Sequence, residues 1–355
     1  MNASDVLNRL THHKLRQRPF LDYLDKVDGK LASLVAGCCS WVHLRDWLAT
    51  GESRVLNLNS CKQFLICPAC ASRRAMKLVN AYAAKVAVVQ DMNPGLIPVM
   101  ITLTIKNGPD LPERLGHIKG SWSRMMAEKR KGSSRSSRNE PIEWNKVVGT
   151  ISAIEVKRGK GSGLWHPHKH SFALVPEYIS KFHLSAEWQR FTGDSKIVDV
   201  RECKNGIENG LREVLKYVSK PCELKPADLH YLYESAKGSR FVDPQGCFRG
   251  VPEPCIDTDD DDGLHGPFRD FIALWNRGGY NLQSVGHRLD ILRPGDSGYG
   301  APRELVYQDP GEVDIFAGIA FPPEHQAPPP RYYDEDPFGE PLQEPPGGPM
   351  ASLPA

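Results

Sequence analysis

The chain has 355 residues, which is long enough for one large folded domain or two ordinary ones. Its formal net charge of +2 conceals two opposed segments: residues 117–170 carry 12 Lys and Arg against 4 Asp and Glu, and residues 296–355 carry 2 against 11. No apolar run approaches the ~18 residues of a membrane-spanning helix, so the composition predicts a soluble, cytoplasmic protein.

The N-terminal region, residues 1–95, is expected to be helical and to contain a cysteine cluster. Nine cysteines in a chain without a secretory signal favour metal ligands or free thiols over a disulfide framework. Cys61, Cys67 and Cys70 have spacing suited to one tetrahedral Zn²⁺, and Cys39 or its neighbour Cys38 would complete four ligands. The alternative is a redox pair in Cys-Pro-Ala-Cys, but no strand-then-helix pattern surrounds it. We favour structural zinc.

The next 200 residues predict a mixture of strands and helices. Alternating and β-branched residues indicate strands at 100–105, 147–156, 168–175 and 196–201, and helical patterns cover 181–191 and 207–220, where Pro221 ends the helix. The strands at 147–156 and 168–175 are separated by a basic, glycine-rich loop and therefore predict a hairpin. This order indicates an α+β fold rather than a doubly wound sheet.

Two histidines of one strand are candidate metal ligands. His168 and His170 share a face because side chains alternate along a strand, whereas Lys169 points to the other face. A turn near residues 161–162 would place Glu155 opposite His168, where its carboxylate could be a third ligand and leave positions open for water and phosphate oxygens. The alternative is that these histidines pack at a strand end and Glu155 is solvated.

The helix at 207–220 carries a second candidate group. Glu213, Tyr217 and Lys220 lie at i, i+4 and i+7 on a face different from its apolar stripe. A phenol beside cationic groups is a feasible nucleophile toward phosphorus. The alternative is an ordinary amphipathic helix with solvated charges.

The C-terminal segment, residues 294–355, contains 14 of the 29 prolines together with acidic clusters. Such a composition buries too little apolar surface to offset its chain entropy, and it predicts a disordered tail.

Taken in chain order, these features resemble the Rep_1 family of rolling-circle plasmid replication initiators, within the HUH endonuclease superfamily. The resemblance rests on the cysteine cluster, a strand with Thr-Leu-Thr, a Glu-bearing strand, the His-x-His strand and the Glu-x-x-x-Tyr-x-x-Lys helix, and it spans roughly residues 38–250. It implies a central antiparallel sheet that contains the His-x-His strand, with the tyrosine helix packed alongside. An endonuclease domain at 96–293 would then lie between the zinc region at 1–95 and the tail.

The resemblance also implies roles for individual residues. His168, His170 and Glu155 would bind catalytic Mg²⁺ or Mn²⁺, Tyr217 would be the nucleophile, and Glu213 would be the carboxylate used in termination. Lys220 matches the lysine of the family's tyrosine motif. One departure is Lys169, at a position that is normally hydrophobic, where a lysine is expected to snorkel or to face a gap in the packing.

The expected function is therefore metal-dependent nicking of one strand at a plasmid origin. A covalent 5′-phosphotyrosyl intermediate would free a 3′-OH primer for host polymerase and helicase, and the origin would be recognised as single-stranded DNA or an extruded hairpin, without a membrane partner. The alternatives are a non-catalytic zinc-containing DNA-binding regulator and a related HUH relaxase or transposase.

Overall fold

A computed structural model describes residues 1–132, 142–203, 206–216, 224–259, 266–276 and 278–288. Its α-helices are α1 Ala3–Val27, α2 Gly29–Ala36, α3 Pro68–Met92, α4 Leu111–Gly132, α5 Lys181–Thr192, α6 Ile207–Leu215 and α7 Pro226–Ser235. Its strands are β1 Trp41–Trp47, β2 Glu52–Leu58, β3 Ile97–Thr104, β4 Gly149–Arg158, β5 Trp165–Val175, β6 Val198–Glu202, β7 Val242–Gly246, β8 Phe268–Asn276 and β9 Gly279–Arg288. None of the helices in these ranges is long and apolar enough to cross a membrane.

The centre of the molecule is a five-stranded antiparallel sheet in the order β6-β3-β5-β4-β7. β4 and β5 form the predicted hairpin and pair over their whole lengths, from Gly149 opposite Leu174 to Arg158 opposite Trp165. β5 is the middle strand and is buried on both faces through most of its length, so the residues it carries are held by neighbours on either side.

Helices cover both faces of this sheet. Side chains of β5 alternate between them: Ala173 and Val175 belong to the core that includes α4 and α5, whereas Phe172 and Leu174 belong to the core that includes α3 and α6. His168 and His170 continue the series of Phe172 and therefore lie on the face covered by α3 and α6. The predicted α+β class, with a central antiparallel sheet and flanking helices, is confirmed. Of the helix expected at 207–220, the described part, α6, packs on the histidine face.

A second antiparallel sheet, in the order β2-β1-β8-β9, packs with α1 and α2. β1 pairs with β8 from Trp41 opposite Leu274 to Trp47 opposite Phe268, so strands more than 200 residues apart form the middle of this sheet. The expected division of the chain at residue 95 did not foresee this pairing. The segment 268–288 returns to the N-terminal unit instead of extending the sheet of β5.

The locally patterned elements were predicted well. The strands expected at 100–105, 147–156, 168–175 and 196–201 correspond to β3, β4, β5 and β6, and the helix expected at 181–191 is α5. The helix expected at 207–220 is described to residue 216, and residues 217–223 lie outside the described part of the chain. The segment 294–355, for which disorder was predicted, also lies outside it.

Candidate active site and metal centre

His170 and Glu155 form a buried pair in the middle of the central sheet. His170 Nε2 lies 3.0 Å from Glu155 Oε2, and the accessible fractions of the two side chains are 3% and 0%. The other carboxylate oxygen of Glu155 is 3.4 Å from Lys157 Nζ. The backbone register pairs Glu155 with His168, as the sequence predicts, but the carboxylate contacts the next histidine along the strand.

His168 lies on the same face, with its ring centroid 6.1 Å from that of His170. Desolvation, and then the neighbouring His170, lower the pKa of His168 to about 3, so the ring is neutral and suited to metal ligation. Two groups of potential metal ligands among the described residues, described below, have all their ligand atoms within 4.8 Å of one another. The ligand atoms of His168, His170 and Glu155 are spread more widely than that. His170 and Glu155 are in direct contact, and the His168 ring is the neighbouring side chain on the same face.

Two threonines of β3 face the histidines across the strand boundary. Thr102 is paired with His170 and Thr104 with His168, and each hydroxyl lies 3.1 Å from the Nδ1 atom of its partner. These contacts were not among those predicted from the sequence. The sequence does contain a pattern that predicts them: when a Thr-x-Thr strand pairs with a His-x-His strand in antiparallel register, alternate side chains meet on one face.

Lys169 neither snorkels to solvent nor faces a gap. Its side chain is 4% exposed, with Nζ 4.2 Å from the centre of the Trp122 ring and 3.5 Å from Asp243 Oδ2. The same carboxylate accepts a 2.8 Å hydrogen bond from Trp122 Nε1. Burial lowers the pKa of Lys169 to about 8, with Asp243 opposing that shift. A lysine is therefore accommodated at this position by its ion pair with Asp243, on the face of the sheet opposite the histidines.

Helix α6 packs on the histidine face and carries Glu213. Leu211, Val214 and Leu215 pack in the same core as Phe172 and Leu174 of β5. Glu213 forms an ion pair with Lys216, one turn away on the same helix. Tyr217 and Lys220, which the sequence places next on this helix, lie outside the described residues.

Four buried cysteine sulfurs converge where α2, β2 and α3 meet. The group is Cys38, Cys61, Cys67 and Cys70, with Sγ separations of 3.5 Å from Cys38 to Cys67 and Cys70 and 3.6 Å from Cys61 to Cys70. The edge of a tetrahedron with 2.3 Å zinc–sulfur bonds is about 3.8 Å, so this donor set fits a metal such as zinc. The described cysteines are free thiols and form no disulfides.

Of the two neighbours that the sequence leaves open, Cys38 and not Cys39 belongs to the group of four. Cys39 adopts a left-handed conformation, with φ of 52°, and its sulfur lies 3.8 Å from Cys38 but outside the group of four. Lys14 of α1 donates hydrogen bonds to the carbonyls of Ala36 and Cys38, at 3.0 and 2.7 Å, and so places a cation beside the sulfurs. Hydrogen bonds from neighbouring thiols, Cys39 first, lower the pKa of Cys38.

A third group of potential ligands joins the N-terminal helices to α7. Asp28, His230 and Glu234 have ligand atoms within 4.8 Å of one another. Asp28 also caps α2 by accepting from Leu31 N at 3.0 Å, and Glu234 forms a 2.7 Å ion pair with Lys237. Both carboxylates thus have partners within the protein, and their contacts explain the cluster without a metal.

The chain is similar in sequence to known replication proteins. The model of the Rep_1 family, described as "Replication protein", matches residues 52–265, which is more than half of the chain. Among curated proteins, the chain is similar to "Protein rep" of Streptococcus pneumoniae serotype 2 (strain D39 / NCTC 7466), with 24% identity over 255 residues that cover 64% of this chain and 76% of that protein. No solved structure matches significantly. The chain belongs to the Rep_1 family of replication proteins.

Proposed function

We propose that this protein initiates rolling-circle replication of a plasmid by nicking one strand at the origin with Tyr217. The observation that carries the proposal is the shared face of the central sheet. His168, His170 and Glu155 lie on or beside the middle strand, and α6, which packs on that same face, leads directly into Tyr217.

The three residues fit a catalytic divalent cation. Two imidazoles and a carboxylate suit Mn²⁺ and similar cations, and Mg²⁺ is the alternative because it also accepts carboxylate and phosphate oxygens. The 3.0 Å between His170 Nε2 and Glu155 Oε2 is close to the separation of adjacent ligand atoms with bonds of about 2.1 Å. When bound, such a cation polarises the scissile phosphate and stabilises the charge that develops on its oxygens.

Tyr217 supplies the nucleophile in this proposal. Its phenolic oxygen attacks phosphorus as the bond to the 3′ oxygen breaks, and the departing 3′ oxygen gains a proton to become the primer hydroxyl. The 5′ phosphate stays attached to the tyrosine as an ester, which preserves the bond for later rejoining. Lys220, one turn beyond, favours the phenolate through its charge.

Glu213 acts in the termination step of replication. One helical turn before Tyr217, its carboxylate is suited to activate a water as general base when the origin junction is regenerated. On the described part of α6, Glu213 forms an ion pair with Lys216.

Structural zinc at Cys38, Cys61, Cys67 and Cys70 completes the proposal. The four sulfurs connect the end of α2, the segment after β2 and the start of α3, so a metal there stabilises the N-terminal unit directly. The partners are plasmid origin DNA, as a single strand or an extruded hairpin, and host helicase and polymerase acting at the freed 3′-OH in the cytoplasm.

A nicking assay tests the proposal. Overlapping labelled single-stranded oligonucleotides that tile the DNA around the coding sequence are incubated with the full-length protein and Mn²⁺, and products are separated on denaturing gels. We expect one cleavage position, which excess EDTA abolishes and Mn²⁺ restores.

Variants of the proposed ligands sharpen the assay. His168→Ala and His170→Ala each reduce the rate by more than about 100-fold, beyond the 10–100-fold typical of losing an outer-shell partner. His183→Ala, at an exposed position on α5, is the matched control and cleaves at the wild-type rate. Undiminished cleavage in excess EDTA contradicts the metal role, and binding without cleavage favours a non-catalytic DNA-binding regulator.

A further inference from the structure

The two threonines of β3 contact the histidines in an identical way. Thr102 Oγ1 and Thr104 Oγ1 lie 3.1 Å from the Nδ1 atoms of His170 and His168. Both contacts follow from the register of β3 against β5, and Leu103 between them is fully buried in the opposite core. Because the same Thr–His contact occurs at two positions, it results from the pairing of β3 with β5 and not from the rotamer of one side chain.

A hydrogen bond at Nδ1 controls what the other ring nitrogen can do. A neutral imidazole binds a cation only through the nitrogen that lacks a proton, and the partner of the second nitrogen sets both tautomer and ring orientation. With Nδ1 held by Thr102, it is Nε2 of His170 that faces Glu155, at 3.0 Å. Nε2 is therefore the ligand atom.

A hydroxyl is suited to this position because it both donates and accepts hydrogen bonds. In the tautomer that carries its proton on Nε2, His170 can donate to the buried Glu155 carboxylate while Nδ1 accepts from the Thr102 hydroxyl. With a cation at Nε2, the ring proton resides on Nδ1 and donates to the same hydroxyl oxygen. A threonine satisfies the ring in both states, which a carboxylate or an ammonium cannot do.

We propose that Thr102 and Thr104 are positioning residues that set the ring orientation of His170 and His168 and stay hydrogen-bonded to Nδ1 in either tautomer, and so determine the affinity of the site for its divalent cation. The inference rests on the proposed function, because it takes the histidines to be metal ligands. It adds residues of a different strand to the site and gives the Thr-Leu-Thr segment a chemical reason.

The test measures cation binding directly, independently of nicking. Free Mn²⁺ is followed by electron paramagnetic resonance during titration of the full-length protein, and only binding that His168→Ala or His170→Ala removes is assigned to this site. Thr102→Val and Thr104→Val keep the side-chain shape but lose the hydroxyl. We expect each to raise the dissociation constant for Mn²⁺ by about 10–100-fold, the usual effect of losing an outer-shell partner.

Two controls separate positioning from packing. Thr102→Ser retains the hydroxyl and restores binding to near the wild-type dissociation constant. Thr150→Val removes another buried hydroxyl of the same sheet, one that donates to the Phe172 carbonyl at 2.9 Å, and leaves Mn²⁺ binding unchanged. Thermal unfolding shows that each variant is folded at the temperature of the titration.

The outcomes distinguish this inference from the proposed function. If the histidine variants bind as much Mn²⁺ as the wild type, the metal site itself is wrong. If the wild type binds through the histidines but Thr102→Val and Thr104→Val bind equally well, the positioning role is overturned. A Thr102→Ser variant that is folded yet binds as weakly as Thr102→Val also overturns it, since shape and not the hydroxyl would then matter.

Discussion

At the scale of single residues, the most informative one is Lys169, which lies between the two candidate ligands but on the opposite side of the sheet. The alternation of side chains along β5 predicts that side correctly. The partners of Lys169 are not predictable from the sequence, because Asp243 and Trp122 are 74 and 47 positions away and no local pattern connects them. The buried charge is compatible with the fold only because both partners are present.

This pair predicts opposite effects for its two members. Lys169→Met replaces the charge with an apolar side chain of similar length. Because the remaining Asp243 carboxylate is partly exposed and keeps its hydrogen bond from Trp122, we expect the free energy of unfolding to be unchanged or to rise by at most about 1 kcal/mol. Asp243→Asn leaves the ammonium buried without its counter-charge. Because Asp243 is 35% exposed, we expect a loss of about 1–3 kcal/mol, at the low end for a buried pair.

Urea unfolding of the two single variants and of the double variant measures these effects. The double variant isolates the coupling from the other hydrogen bonds of Asp243, which it accepts from Trp122 and Gln245. Asp243→Asn costs less in the Lys169→Met background than in the wild type. Equal costs in the two backgrounds would show that the ion pair contributes nothing.

At the scale of elements, the approach of α6 to β5 depends on a glycine. A Cβ atom built at Gly210 lies 2.8 Å from the ring of Phe172 and 2.9 Å from Cys203 Sγ, both closer than real Cβ contacts allow. Phe172 is fully buried and has little room to move. Gly210 therefore permits the close packing of α6 on the face of β5 that carries Phe172 and the two histidines.

Gly210→Ala consequently lowers the free energy of unfolding, although alanine is the better helix former. The intrinsic gain of about 1 kcal/mol is outweighed by an overpacking cost of about 1–3 kcal/mol, and the displaced helix also slows nicking. Gly116→Ala is the matched control, because that glycine lies in α4 with nothing within 4 Å of its Cβ position. There we expect stabilisation of about 0.5–1 kcal/mol.

Thermal and urea unfolding, together with the nicking rate, compare the two glycine variants. If Gly210→Ala stabilises the protein as much as Gly116→Ala does, the two elements are not in the close contact described. If Gly210→Ala destabilises the protein but the nicking rate per folded molecule stays at the wild-type value, the position of α6 is unimportant to the reaction.

At the scale of the whole molecule, the sequence predicted what is local and missed what is distant. The hairpin of β4 and β5, the face shared by His168 and His170, and the cysteine spacing are read from neighbouring residues. The pairing of β1 with β8 is not, since a contact across more than 200 residues leaves no periodic signal. The choice of Cys38 over Cys39 also needed the structure, because adjacent cysteines have equal spacing and the turn at Cys39 decides between them.

The central claim is that Tyr217, two residues beyond the end of α6 in the sequence, becomes joined to DNA. The most direct measurement is to incubate the protein with Mn²⁺ and 3′-labelled single-stranded oligonucleotides from the tiled set, denature it, digest protein and DNA, and identify the modified peptide by mass spectrometry. The label is placed at the 3′ end because a 5′-phosphotyrosyl bond retains the downstream fragment. The account predicts a nucleotide attached through phosphate to Tyr217, absent in Tyr217→Phe and in excess EDTA. Attachment to any other residue, or cleavage without a covalent product, would contradict it.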